Sequence, residues 1–299
     1  MSNEQRVLIL GGAGQLGLEL QRSFAGPHPL VAVDRAVADL AVPDQLRAIV
    51  RRVQPNVILN AAAYTAVDRA ETEPEVAMAI NARAPRILAE EARSLHALFV
   101  HYSTDYVFDG SKPEPWTESE VPRPLNAYGA SKLAGEEAVK QSGCRHLIFR
   151  TSWVYGPHGK NFLLTMLRLG RERERLTVVD DQIGAPTSSL ELARATKAIV
   201  DGVLQGRFGD AESWTGLYNM TCSGSVSWCG FAQAIFARAG KLLEDRRPEV
   251  TPIPSSDYPT PAQRPQNSVL SNARLQERFG VELAPWEQAL DAVMARLRA

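Results

Sequence analysis

VLILGGAGQLGLEL, residues 7 to 20, decides the fold. A short, wholly apolar run enters a loop carrying Gly11, Gly14 and Gly17, and an amphipathic pattern follows at once. This is the order strand, tight turn, helix. The GxxGxxG spacing suits a turn that brings backbone close to a pyrophosphate at a helix N-terminus. There the free amide hydrogens and the helix dipole favour negative charge. A glycine pattern alone is weak, but here it follows the first strand and opens the first helix, which is the context it requires.

The pattern repeats outward from this point. RVLIL (6–10), LVAV (30–33), NVILN (56–60), LFVHY (98–102) and HLIFR (146–150) read as strands. They are continuous rather than alternating, as in parallel strands covered on both faces. Helix patterns at 14–25, 43–53, 74–95 and 127–142 lie between them. Pro43 and Pro74 suit first-turn positions, and Pro85 predicts a kink or two abutting helices. The alternation predicts an α/β fold, a Rossmann-type doubly wound parallel sheet. Residues 1–155 form the expected NAD(P)-binding domain. Residues 156–299 form a smaller C-terminal substrate domain, with some later segments returning to the sheet. Helices are expected at 187–204, 227–239 and 285–298. IPSSDYPTPAQRP (253–265) reads as a long ordered loop.

Composition sets the outer bounds. The chain has 299 residues, 44% hydrophobic and 22% charged, with a net charge of -1. That suits a globular protein with a sizeable core and gives no sign of a nucleic-acid or membrane-surface partner. No run approaches the ~20 apolar residues of a membrane span. Cys144, Cys222 and Cys229 lack metal-site or disulfide spacing, so a cytoplasmic protein with reduced thiols is expected. The five histidines show no metal-ligand spacing either.

Two further features point to chemistry. Asp34 stands about 20 residues beyond the glycine loop, where a carboxylate binds ribose hydroxyls and favours NADH. Arg35 beside it would instead meet the 2′-phosphate of NADPH, so either cofactor fits. Asp39 and Leu40 would flank the adenine. Then YGASK places Tyr128 and Lys132 at i and i+4 on one helix face. A lysine ammonium nearby is expected to lower the phenol's pKa toward the working range and to hydrogen-bond the nicotinamide ribose.

Together these motifs resemble the extended branch of the short-chain dehydrogenase/reductase superfamily. The resemblance implies that Asn60 and Ala61–Ala63 lie along the cofactor, together with Gln15 and Leu16 in the glycine loop. It makes Thr104, preceded by Ser103, the hydroxyl that binds a substrate carbonyl while Tyr128 protonates it.

Several stretches narrow the resemblance to the dTDP-4-dehydrorhamnose reductase family. They are AAAYTAVDRAE (61–71), HYSTDYVFDG (101–110), LNAYGASKLAGE (125–136), FRTSWVYG (149–156), DDQIGAPT (180–187) and RPQNSVL (264–270). The implied reaction is NAD(P)H-dependent reduction of the C4 ketone of a dTDP-linked 6-deoxyhexose, the last step of dTDP-rhamnose synthesis. Val67 and Trp153 would wall the sugar. Ser103, Asp105 and Tyr106 would line its pocket, with Asp105 a positioning group. Asn161, Gln182, Arg264 and Asn267 would frame the nucleotide, with Arg264 on the pyrophosphate. Some members of this family are expected to hold magnesium through glutamates at a homodimer interface. Glu19 fits the first such position, but Leu190 stands at the second and Glu191 follows it.

Rival readings stay open at this point. A 4-epimerase needs only the same tyrosine and hydroxyl. A 4,6-dehydratase lacks its acid pair, because Tyr106 rather than glutamate follows Asp105. A non-catalytic dinucleotide-binding regulatory subunit is the reading from another class.

Overall fold

The computed structural model describes residues 5–26, 28–244 and 246–298. Its centre is a six-stranded, all-parallel sheet: β1 (Val7–Leu10), β2 (Leu30–Val33), β3 (Val57–Asn60), β4 (Leu98–Thr104), β5 (His146–Thr151) and β6 (Gly216–Asn219). The spatial order is β6-β5-β4-β3-β1-β2. The helices are α1 (Gln15–Phe24), α2 (Pro43–Val53), α3 (Ala84–Ser94), α4 (Ala127–Gln141), α5 (Phe162–Glu172), α6 (Ser189–Leu204), α7 (Trp228–Ala239), α8 (Ala273–Phe279) and α9 (Trp286–Arg298), with shorter turns between.

The strands read as unbroken apolar runs because both faces are covered. Val7, Ile9, Val57, Leu59, Val100, Leu147 and Phe149 point to one cluster, with Leu16 and Leu20 of α1, Ile199 of α6, Phe231 of α7 and Leu290 of α9. Leu8, Leu10, Ile58, Phe99 and Ile148 point the other way, onto Leu46 and Ile49 of α2 and Leu88 of α3. Leu8, Ile9 and Leu10 are wholly buried, each worth roughly 1.5–3 kcal/mol relative to exposure. The first cluster runs from β1 to α9, so N- and C-terminal segments share one core.

The chain leaves β1 for β2 on one side and then returns to β3 on the other. Such a reversal opens a crevice beyond the carboxyl ends of the two strands that flank it. The glycine loop after β1 and Ala61–Ala63 after β3 both end there. β6 comes from the C-terminal half and completes the sheet beside β5.

The expected helix over 74–95 is three pieces: Pro74–Met78, a wider π turn at Ala79–Arg83, and α3. Pro85 has no amide hydrogen to give the carbonyl one turn back, so the ladder widens before the proline rather than bending at it. Asn81, in that turn, donates its side-chain amide to Tyr64 O and to Ser131 Oγ of α4 at 3.0 Å each. Helices α5 and α8 were not anticipated. The long loop runs as expected from residue 254, with one short turn at Ser255–Asp257; Ile253 ends a strand, Glu249–Ile253, beside Arg175–Val179. No described helix is long and apolar enough to cross a membrane.

Candidate active site

A cavity of about 770 Å³ lies at the crevice. Its lining includes Gly11, Gly14, Gln15 and Leu16 at one end, Asp34, Arg35, Asp39 and Leu40 along one side, and Ala61–Ala63 along another. Ser103, Tyr128 and Lys132 lie at the far end. Gly17 sits beneath the loop, where a Cβ would collide with the Gly11 carbonyl; a Cβ on Gly11 would crowd Ala62. The close approach of loop, helix and β3 therefore requires both glycines. Gly14 precedes α1 without a side-chain cap, and no acid occupies the first turn. The leading amides of α1 are thus left for an anion.

At the end of β2, Asp34 accepts from the Ala36 amide at 3.0 Å, and Arg35 donates to Asp39 at 3.0 Å. The guanidinium remains mostly exposed, so both the carboxylate that suits NADH and the cation that suits NADPH are in place.

The chemistry end is built by β4 and α4. Asn126 caps α4, its Oδ1 accepting from Gly129 N at 2.8 Å, and its amide donates to Gln263 O at 2.8 Å. Lys132 is buried and donates to Tyr102 O at 2.6 Å. Burial pulls its ammonium down to about 8, with Glu136 one turn on opposing that fall. The Tyr128 phenol is pushed up to about 12 by burial, with the Thr104 hydroxyl softening the rise and the Asp105 charge adding to it. Burial therefore outweighs the lowering of the phenol expected from Lys132. Tyr106 packs edge-on against Tyr128, with ring centroids 5.6 Å apart.

Thr104 Oγ1 accepts from Tyr106 N at 3.2 Å and donates to Asp105 Oδ1 at 3.0 Å. Burial pushes the Asp105 carboxyl up to about 6, against nearby hydroxyls of Ser268, Thr104 and Ser152. A carboxyl in the unfolded chain titrates near ~3.9. Between these values the folded protein holds a proton that the unfolded chain has released. The raised value therefore favours folding at low pH, and ionisation erodes stability as pH rises through about 6. Asp105→Asn is accordingly expected to stabilise the protein at pH 8 by roughly 2–3 kcal/mol, and by much less at pH 4.5, in urea melts. A variant that is no more stable than wild type at pH 8 would contradict this account.

Gln182 and Arg264 line a second cavity of about 500 Å³, together with Asp109–Ser111 and residues 258–263. Arg264 is not free there. It forms a two-pronged pair with Asp68, each bond 3.0 Å, next to Val67 at the start of a short helix. An incoming phosphate would have to compete with Asp68 for it. Trp153 stacks on Trp228 with centroids 3.4 Å apart and planes 7° from parallel, its ring against Gly184. Its φ of 48° is a left-handed value that a bulky residue adopts only when its surroundings enforce it. Asn161 lies beside Gln15, at the glycine-loop end of the first cavity. It caps α5 through Leu164 N at 3.0 Å and donates to Gln15 Oε1 at 3.2 Å. Asn267 is a structural tie, donating to Lys112 O at 2.8 Å and Glu114 O at 3.0 Å.

Sequence reasoning passed over the buried support of this site. Glu136 and Arg150 are 0% and 1% exposed and form a two-pronged pair at 2.8 and 2.6 Å. Ser103 Oγ donates to the same carboxylate at 2.5 Å. An arginine ending an otherwise apolar strand, and a glutamate one turn after Lys132, were the visible signals.

The magnesium position does not fit a cation. Glu19 accepts from Arg22 and Arg296 at 2.5 Å each, so two guanidinium groups already balance it. Glu191 is taken by Arg194 and the Ala284 amide. Among the described residues no group of three or more His, Cys, Asp or Glu is placed to hold a metal.

The chain matches the family described as RmlD substrate binding domain over residues 5–299. It is 47% identical to a dTDP-4-dehydrorhamnose reductase of Burkholderia thailandensis, over 95% of this chain and 96% of that one. Among solved structures, the ortholog from Clostridium acetobutylicum superposes with a TM-score of 0.90 at 38% identity, covering 99% of this chain and 100% of that one. The Bacillus anthracis enzyme in complex with NADP superposes with a TM-score of 0.88 at 36% identity, covering 98% and 99%.

Proposed function

The chain belongs to the RmlD family of dTDP-4-dehydrorhamnose reductases, and we propose that it reduces the C4 ketone of dTDP-4-dehydro-L-rhamnose to dTDP-L-rhamnose with NADPH or NADH. The observation that carries this reading is one cavity with a phosphate-suited glycine loop at one end and Tyr128, Lys132 and Ser103 at the other. Thr104 stands beside them at the end of β4.

The reduced nicotinamide supplies a hydride to the carbonyl carbon. The residues of the chain handle the oxygen. As negative charge grows on O4, Tyr128 gives its phenolic proton and Thr104 turns its hydroxyl from Asp105 toward the oxygen. With its phenol pushed up to about 12, Tyr128 keeps its proton at neutral pH and so begins as an acid. Lys132 holds positive charge beneath the site and steadies the phenolate formed. Asp105, shielded from water and touching Thr104, orients that hydroxyl rather than abstracting a proton. Trp153 and the Asp68–Arg264 pair would define the sugar and nucleotide pockets. Free, buried cysteines accord with a cytoplasmic enzyme.

The test is a coupled assay. An epimerase converts dTDP-4-keto-6-deoxyglucose to the substrate, this protein is added with NADPH or NADH, and absorbance of the reduced cofactor is followed. Steady oxidation that depends on the sugar nucleotide is expected. No oxidation with either cofactor would refute the reductase reading. Oxidised cofactor retained through purification, with C4 inverted and no net oxidation, would favour an epimerase.

A further inference from the structure

We propose that Lys160 binds the cofactor through its pyrophosphate, carried there by a strap, residues 156–160, folded over the first turns of α1. This rests on the reductase reading and adds a binding residue to it.

The strap is tied down at both ends. Asn161 closes it, donating to Gly156 O at 3.0 Å, to His158 O at 3.1 Å and to Gln15 Oε1 in the first turn of α1 at 3.2 Å. Its middle is held by His158, whose Nε2 lies 3.0 Å from Arg22 Nη1 and 3.5 Å from Glu19 Oε1. Glu19 is itself buried against Arg22 and Arg296. Gly159 then turns the chain with φ at 75°, where a side chain would be strained, and a Cβ there would touch Gln15. The next residue, Lys160, lines the same cavity as Gly11, Gly14 and Gln15.

Charge bookkeeping singles out this lysine. A pyrophosphate bridge brings two negative charges to the glycine loop, and the helix end offers only about half a positive charge in return. The other nearby cations are placed elsewhere: Arg22 and Arg296 pair with buried Glu19, and Arg35 stands after β2 beside Asp39. Lys132 lies at the chemistry end, bound to the Tyr102 carbonyl. Lys160 enters no ion pair or side-chain hydrogen bond among the described residues. An exposed lysine is ordinarily just solvated, but this one is carried by a multiply anchored loop to the phosphate end of the cavity. A lysine serves there as a point charge without needing a fixed angle.

The position also predicts which phosphate it meets. Arg35 follows β2 and is the group placed for a 2′-phosphate, whereas the strap runs over α1 beside the glycine loop. Lys160→Ala should therefore raise Kd for NADPH and NADH by the same factor, about tenfold, since cofactors with and without the 2′-phosphate share the pyrophosphate. Titrating the enhanced fluorescence of each reduced cofactor on the wild type, Lys160→Ala and Lys160→Arg measures this directly. Lys160→Arg should recover most of the affinity. The salt dependence of binding should be shallower in Lys160→Ala. Weakening confined to NADPH would reassign Lys160 to the 2′-phosphate and overturn the proposal. Unchanged Kd for both, in a protein with wild-type circular dichroism, would also overturn it. Wild-type protein that binds neither cofactor would overturn the reductase reading itself, and this assignment with it.

Discussion

Tyr128→Phe is expected to reduce the ketone at least 10²- to 10⁴-fold more slowly than wild type while binding NADPH and NADH with little change. The substitution removes one oxygen from a buried ring that packs edge-on against Tyr106, so the fold should survive. What goes is the phenolic proton of the tyrosine that shares the end of the cavity with Lys132 and Ser103. Stopped-flow oxidation of bound cofactor, with Kd from fluorescence titration, separates the two effects. Full turnover in Tyr128→Phe would remove Tyr128 from the reaction and send the search for the acid to Asp105, whose carboxyl stands at about 6.

A pH profile refines the same expectation. The phenol, at about 12, stays protonated through the neutral range. Lys132, pulled down to about 8, loses its charge first as pH rises. The kcat/KM of the wild type, which reports the free enzyme, should therefore be level near neutrality and fall above pH about 8. A profile level to pH 10 would contradict the placement of a charged Lys132 beneath the site.

The sheet was legible because its physics is local. An apolar run without alternation means burial on both faces, and the clusters on the two sides of β1 and β3 bear that out. The glycine loop and the YGASK helix were legible because each spacing has a geometric reason within a few residues. Helix α5 was readable in principle: Leu163, Met166, Leu167 and Gly170 form a buried stripe behind the cap Asn161. The glycines and prolines around it masked that rhythm.

Other features were beyond reach in one dimension. The pairing of Arg264 with Asp68 spans 196 residues, and only the folded chain shows the arginine already engaged. Asn161 was expected to frame the nucleotide, and only the folded chain shows its side chain capping α5 and reaching Gln15. The downward pull of Lys132 on Tyr128 was a fair inference from i, i+4 spacing. Burial reverses it, and burial at a single atom is a tertiary property.

Removing Glu136 alone should be the most damaging change to stability. Glu136→Ala leaves Arg150 buried with no counter-charge, and breaking such a pair costs about 3–5 kcal/mol. That is a large share of the roughly 5–15 kcal/mol that holds a typical domain folded. It also frees the Ser103 hydroxyl at the end of β4, beside the reacting groups. Replacing both partners with apolar residues, as in Glu136→Leu with Arg150→Met, removes the unpaired charge and should restore most of the stability in urea melts. The recovered protein should still be slower than wild type at alkaline pH. Glu136 opposes the fall of Lys132, so without it the ammonium is lost at lower pH and the descending limb moves down. A single variant that loses less than about 1 kcal/mol would mean that water reaches the Arg150 guanidinium. A double variant with an unmoved alkaline limb would separate the pair from Lys132 and leave it a purely structural tie between α4 and β5.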